Sequence, residues 1–197
     1  MMGTPNGVPM SQTDTILRRL DGTMATIGSL RDHVDRIDAL GAALIERINH
    51  GGTLYTAGNG GSAAQALHLA EELIGRYRGN RPALRAMCLN ADTTAMTCIA
   101  NDFGYERVFA RQCEALLESK DVLLVLSTSG TSPNLVEALK TAKQSATLTV
   151  GLLGSGGGDC GPLCDHEITI DETDSAFVQE AHQVVVHLLC EMIEESQ

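Results

Sequence analysis

The stretch Asp121-Val122-Leu123-Leu124-Val125-Leu126 constrains this chain more than any other. An apolar run that does not alternate suits a strand buried on both faces, and such strands belong to parallel sheets covered by helices on each side. Ser127-Thr128-Ser129-Gly130-Thr131-Ser132 follows, with five hydroxyl residues in six positions. It leads into a helix with Pro133 in its first turn, where proline is favoured. In open parallel sheets ligands bind beyond the carboxyl ends of the strands. Hydroxyls joined to helix N-terminal amides suit a phosphate monoester there. No lysine accompanies them, which argues against a nucleoside triphosphate loop.

A second unit of the same kind precedes it. Thr53–Ala57 reads as a strand, Gly58-Asn59-Gly60-Gly61-Ser62 as a tight turn, and the chain to about Gly75 as a helix. Ser62 sits at the expected N-cap, where it either caps the helix or donates to a ligand. Gly58, Gly60 and Ala63 fit a dinucleotide-binding spacing, but that fingerprint needs an acid about 20 residues on. The second strand ends later, near Asn90-Ala91-Asp92. Further strands are expected at Ala86–Leu89, Thr147–Leu153 and Glu167–Ile170, interleaved with helices. Asp14–His50 carries apolar residues at helical spacing and is stopped by Gly51-Gly52. The expected fold is α/β: a parallel sheet flanked by helices on both faces, a flavodoxin-like three-layer sandwich, preceded by an N-terminal helical hairpin. The tail and hairpin would occupy residues 1–50 and the α/β domain residues 51–197.

Composition narrows the function. With 43% hydrophobic and 20% charged residues, the 197-residue chain is not of the disordered class. Its net charge of −11 disfavours nucleic acid and anionic membrane surfaces as partners. No apolar run approaches membrane-spanning length, and Met1–Pro9 lacks a signal-peptide pattern, so a cytoplasmic location is expected. The six cysteines read as reduced and mostly as core. Cys160 and Cys164, with His166 nearby, lack an evident fourth ligand for zinc.

Acid–base and metal candidates lie on two helices. His68 and Glu72 are four apart, on one helix face, which suits a ligand pair or a histidine beside a catalytic carboxylate. On the last helix, Gln179 and His187 project within about 80° of each other, but about 12 Å apart along the axis. Both reach one metal only if their side chains lean together. Taken alone, His187 reads more readily as a core histidine bonded to a carbonyl.

Together, GNGGSAAQALHLAEELIGRYRGNRP, IANDFGYERVF, DVLLVLSTSGTSPN and VQEAHQVVVHLL resemble the bacterial phosphoheptose isomerases, of the sugar-isomerase (SIS) domain family. The resemblance runs from about residue 50 to the C-terminus. It implies a homotetramer with active sites at subunit interfaces. The activity it implies is aldose–ketose isomerisation of sedoheptulose 7-phosphate to D-glycero-D-manno-heptose 7-phosphate, the first step toward nucleotide-activated heptose. By that resemblance Asn59, Gly60, Gly61, Ser62, Asn101, Asp102 and Gln179 contact substrate, and Ser127, Thr128, Ser129 and Ser132 hold its phosphate. Glu72 and His187 become the catalytic pair, and His68, Glu72, Gln179 and His187 a zinc set. Phe177, Ala176 and the STSGTS loop depart from the common pattern and bear on which keto-sugar phosphate is taken. A non-catalytic SIS protein that binds the replication initiator is the rival reading; such relatives usually lose the helix carboxylate, which is present here as Glu72.

Overall fold

The computed structural model describes residues 10–197, so the expected tail over residues 1–9 lies outside the described residues. Five strands, β1 (Leu54–Gly58), β2 (Ala86–Cys88), β3 (Val122–Ser127), β4 (Leu148–Gly154) and β5 (His166–Ile170), form one sheet. Its order is β2-β1-β3-β4-β5, and every pairing is parallel. β3 lies at its centre, and all six of its residues are buried. Asp121 anchors its start: one carboxylate oxygen accepts from the Thr53 amide at 2.8 Å and the other from the Glu118 amide at 2.8 Å.

Alternation along the strands sorts the core into two layers. Leu124 and Leu126 join Leu54, Val150 and Ile168 beneath α3 (Gly61–Ile74), α7 (Ser175–Glu195) and the N-terminal helices. Leu123 and Val125 join Tyr55 and Leu153 beneath α5 (Ala110–Leu116) and α6 (Pro133–Gln144). The sandwich is therefore three layers deep, as the sequence implies. α4 (Thr93–Phe103) has no fully buried residue and packs only Met96 and Ala100 against the second layer.

The N-terminal segment corrects the expected hairpin. α1 (Gln12–Gly28) passes through a 3-10 turn at Ser29–His33 into α2 (Val34–Asn49). Both pack on α7 rather than folding back on each other. Glu180 of α7 meets Arg19 and Thr23, Met192 packs on Gly41, and Gln197 reaches Asn49. The pair thus forms a bent rod running parallel to α7. The backbone stays helical through Gly28 and Ser29, so nothing reverses the chain. Leu30, Ile37, Leu40, Leu44 and Ile48 share the sheet's own core, and α2 is part of the same hydrophobic unit.

Candidate active site

The strand order reverses between β1 and β3, so the turns after those strands face each other at the switch point. Gly58 is required at the first turn: a Cβ there would lie 2.6 Å from the Ser62 backbone. Gly60, with φ of +57°, is the N-cap of α3. Ser62 therefore lies inside the helix, buried, and is not the cap. The amides of Ser62, Ala63 and Ala64 bond back to the Asn59 and Gly60 carbonyls, which leaves this turn few free donors for an anion. Asn59 holds the switch point together. It exchanges two amide bonds with Asn134 of α6, each 2.9 Å, and accepts from the Tyr105 hydroxyl at 3.1 Å.

The hydroxyl turn is more open. Ser127 accepts from the Gly130 amide at 3.0 Å, and Ser129 accepts from Thr131. Both hydroxyl hydrogens remain free to point at a ligand. Ser132 is the N-cap of α6 but makes no side-chain cap bond. Thr128 is half-buried between them. The glycine-rich segment after β4 backs this turn: a Cβ on Gly130 would strike the Gly157 carbonyl, and Cys160 donates to the Gly130 carbonyl at 2.8 Å. Asn101 and Asp102 lie on exposed α4, bonded to each other at 2.7 Å.

The acid–base candidates meet where α3 and α7 run side by side. His68 Nε2 is 3.1 Å from Glu72 Oε1, and the His68 and His187 rings are 5.4 Å apart. Tyr77 approaches the His187 ring at 5.6 Å. Glu71 brings a third donor, its ligand atom within 4.8 Å of those of His68 and Glu72. His68 Nε2 is shielded from solvent yet has no hydrogen bond of normal geometry. A sheltered, unbonded imidazole nitrogen beside a carboxylate and a second imidazole suits zinc. Gln179 instead rests on Gly61, two turns before His68, where a glycine Cβ would be 2.7 Å from its amide. Gln183 contacts His187 Nε2 at 3.0 Å, and Gln65 bonds to the Gln179 carbonyl at 2.7 Å.

The carbonyl-bonded core histidine exists, but it is His182 and not His187. His182 is fully buried and donates from Nε2 to the Leu153 carbonyl at 3.1 Å. Burial pushes its imidazole down to about 4, so it stays neutral near pH 7. Cys160 and Cys164 form no metal cluster among the described residues. Burial raises their thiols to about 11 and about 12, and all six cysteines are free. Phe177 packs on Gly22 and under Arg19 of α1, with 4.0 Å between guanidinium and ring centre. Sequence reasoning missed Asn134, Tyr105, Tyr77, Gln65 and Gln183. Gln183 was findable, midway between Gln179 and His187 on one helical stripe.

Comparison with known proteins bears on the family and the fold. Residues 24–154 match the SIS domain family. Phosphoheptose isomerase 1 of Campylobacter jejuni is 49% identical over 161 residues, covering 82% of this chain and 87% of that protein. The phosphoheptose isomerase of Trichlorobacter lovleyi is 46% identical over 79% of this chain and 80% of its own. The phosphoheptose isomerase structure from Francisella tularensis superposes with a TM-score of 0.91 at 28% identity, covering 94% of this chain and all of that one. A family model that spans most of the domain and relatives at 46–49% identity over about four fifths of the chain agree, and the chain belongs to the phosphoheptose isomerases of the SIS domain family.

Proposed function

We propose that this protein interconverts sedoheptulose 7-phosphate and D-glycero-D-manno-heptose 7-phosphate through an enediol, supplying heptose for nucleotide activation. The observation that carries the reading is the convergence of Glu72, His68 and His187 across α3 and α7. Glu72 takes a proton from C1 of the ketose while His187 gives one to the C2 oxygen. The enediol then returns the O1 proton to His187 and receives the Glu72 proton at C2. Ser127, Thr128, Ser129 and Ser132 hold the phosphate and so fix which carbons face the base.

His68, Glu72 and His187 would hold zinc; Gln179, the fourth ligand that the resemblance implies, rests on Gly61 two turns from His68. Zinc bound there supplies Lewis-acid polarisation of the carbonyl.

The lengths of α3 and α7 support a tetramer with shared sites. Glu72 is eleven residues into α3 and His187 twelve into α7, each about 16–18 Å of helix from the sheet edge where the hydroxyl turn sits. A second subunit's turn brings the phosphate within reach. Ile16, Leu17, Leu20 and Met24 leave an apolar stripe on α1, each more than half exposed, for such an assembly. A charged metabolite as substrate is in keeping with a cytoplasmic location. No helix among the described residues is long and apolar enough to cross a membrane.

The test is NMR of sedoheptulose 7-phosphate incubated with the purified protein, with and without a chelator. An aldose C1 signal that a chelator suppresses is expected. No conversion with metal supplied would overturn the reading.

A further inference from the structure

Arg81 buries its guanidinium, with a side chain 5% exposed, at the C-terminal end of α3. Nη2 donates to the Glu72 carbonyl at 2.8 Å, and Nη1 donates to the carbonyls of Leu73 and Pro82, each at 2.9 Å. The last carbonyls of a helix have no partner within it, and a buried cation at that end is favoured twice, by hydrogen bonding and by the helix dipole. Glu72 lies in this last turn, which closes at Gly75. Unsupported last turns fray, and a base on a fraying turn is poorly aimed.

Arg81 is itself held. Its Nε lies 3.4 Å from Glu194 Oε1, in the last turn of α7. The Glu194 carboxylate also accepts from the Arg78 and Gly79 amides, at 3.0 and 2.8 Å. One guanidinium–carboxylate pair therefore ties the end of the helix carrying Glu72 to the end of the helix carrying His187.

We propose that Arg81, braced by Glu194, is a positioning residue that holds Glu72 at the reacting carbon. The proposal rests on the reading of Glu72 as the base. Arg81 touches no substrate, so its loss should appear in turnover and not in substrate binding.

The experiment measures kcat and KM for sedoheptulose 7-phosphate, per folded molecule as judged by circular dichroism at the assay temperature. Arg81→Ala, Arg81→Lys, Glu194→Gln and Glu72→Gln are compared. For Arg81→Ala, kcat is expected to fall at least about tenfold with KM within about twofold, since small misplacements of a catalytic group cost that much. Added guanidinium ion should restore part of the rate to Arg81→Ala and none to Glu72→Gln. Arg81→Lys, whose single ammonium cannot span the three carbonyls and Glu194, should fall between. If Arg81→Ala does not fold, the decision rests on Arg81→Lys and Glu194→Gln, both expected to lose kcat. Wild-type kcat per folded molecule in these variants, or a loss confined to KM, overturns the proposal. If Glu72→Gln itself turns over normally, the base assignment falls first, and the two failures are told apart.

Discussion

Two residues with one chemical type have opposite surroundings. His187 is half-buried and faces His68, Tyr77 and Gln183, whereas His182 is sealed in the core with its bare Nδ1 unpartnered. Glu72→Gln should lower kcat at least about 100-fold with the fold intact, because an amide cannot take a proton from carbon. Solvent-deuterium exchange at the substrate carbon should stop with it; exchange at the wild-type rate would identify another base. His182→Gln should keep most activity. Its signature is in stability. The folded imidazole near 4 lies below the ordinary value of 6.5, so between those pH values the unfolded chain binds more protons. Stability should fall as pH drops from about 6.5 toward 4, by up to about 3 kcal/mol from this group. Thermal melts across that window should show a slope that His182→Gln flattens.

At the scale of elements, glycine and hydroxyl turns divide the work. Gly58→Ala should destabilise the fold by about 1–3 kcal/mol, because the neighbouring atoms are helix backbone and cannot step aside. Denaturant midpoints measure it. Ser129→Ala and Ser132→Ala should raise KM more than they lower kcat, each by about 1–3 kcal/mol of lost charged hydrogen bonding; unchanged KM in both would put the phosphate elsewhere. The strand of residues 121–126 and the hydroxyl turn were legible in the sequence because a doubly buried strand has an unmistakable composition. The hairpin was misread because helical spacing gives a face and a period but no direction at a break; Ser29–His33 only tightens the helix. The Ser62 cap was misplaced by two residues, since Gly60 adopts a backbone that only the structure reveals. Tyr105 and Asn134 were invisible for a different reason: their partner, Asn59, is 46 and 75 residues away in sequence.

For the whole molecule, the distance between the hydroxyl turn and the Glu72–His187 pair gives the sharpest expectation. Light scattering should report a tetramer, and Leu20→Glu with Met24→Glu should dissociate it and abolish activity together. Mixing subunits offers a stricter check. Glu72→Gln and a Ser129→Ala, Ser132→Ala variant should each be impaired as pure assemblies. After co-refolding at equal amounts, about a quarter of shared sites would combine an intact turn with an intact base. Activity above the sum of the separate proteins is expected; a strictly additive result would mean each subunit works alone.

The paired amides of Asn59 and Asn134 also govern how the protein ages. Asn59 precedes Gly60, the least hindered setting for ring closure, in which a backbone nitrogen attacks the side-chain carbonyl carbon and ammonia leaves. Two bonds to Asn134 and one from Tyr105 hold that carboxamide in place. Turning that carboxamide toward the Gly60 nitrogen has to break these bonds. Hydrolysis of the ring would leave a carboxylate facing the Asn134 oxygen and prise apart the two turns at the switch point. The same contact that shapes the site therefore also restrains this slow chemical damage.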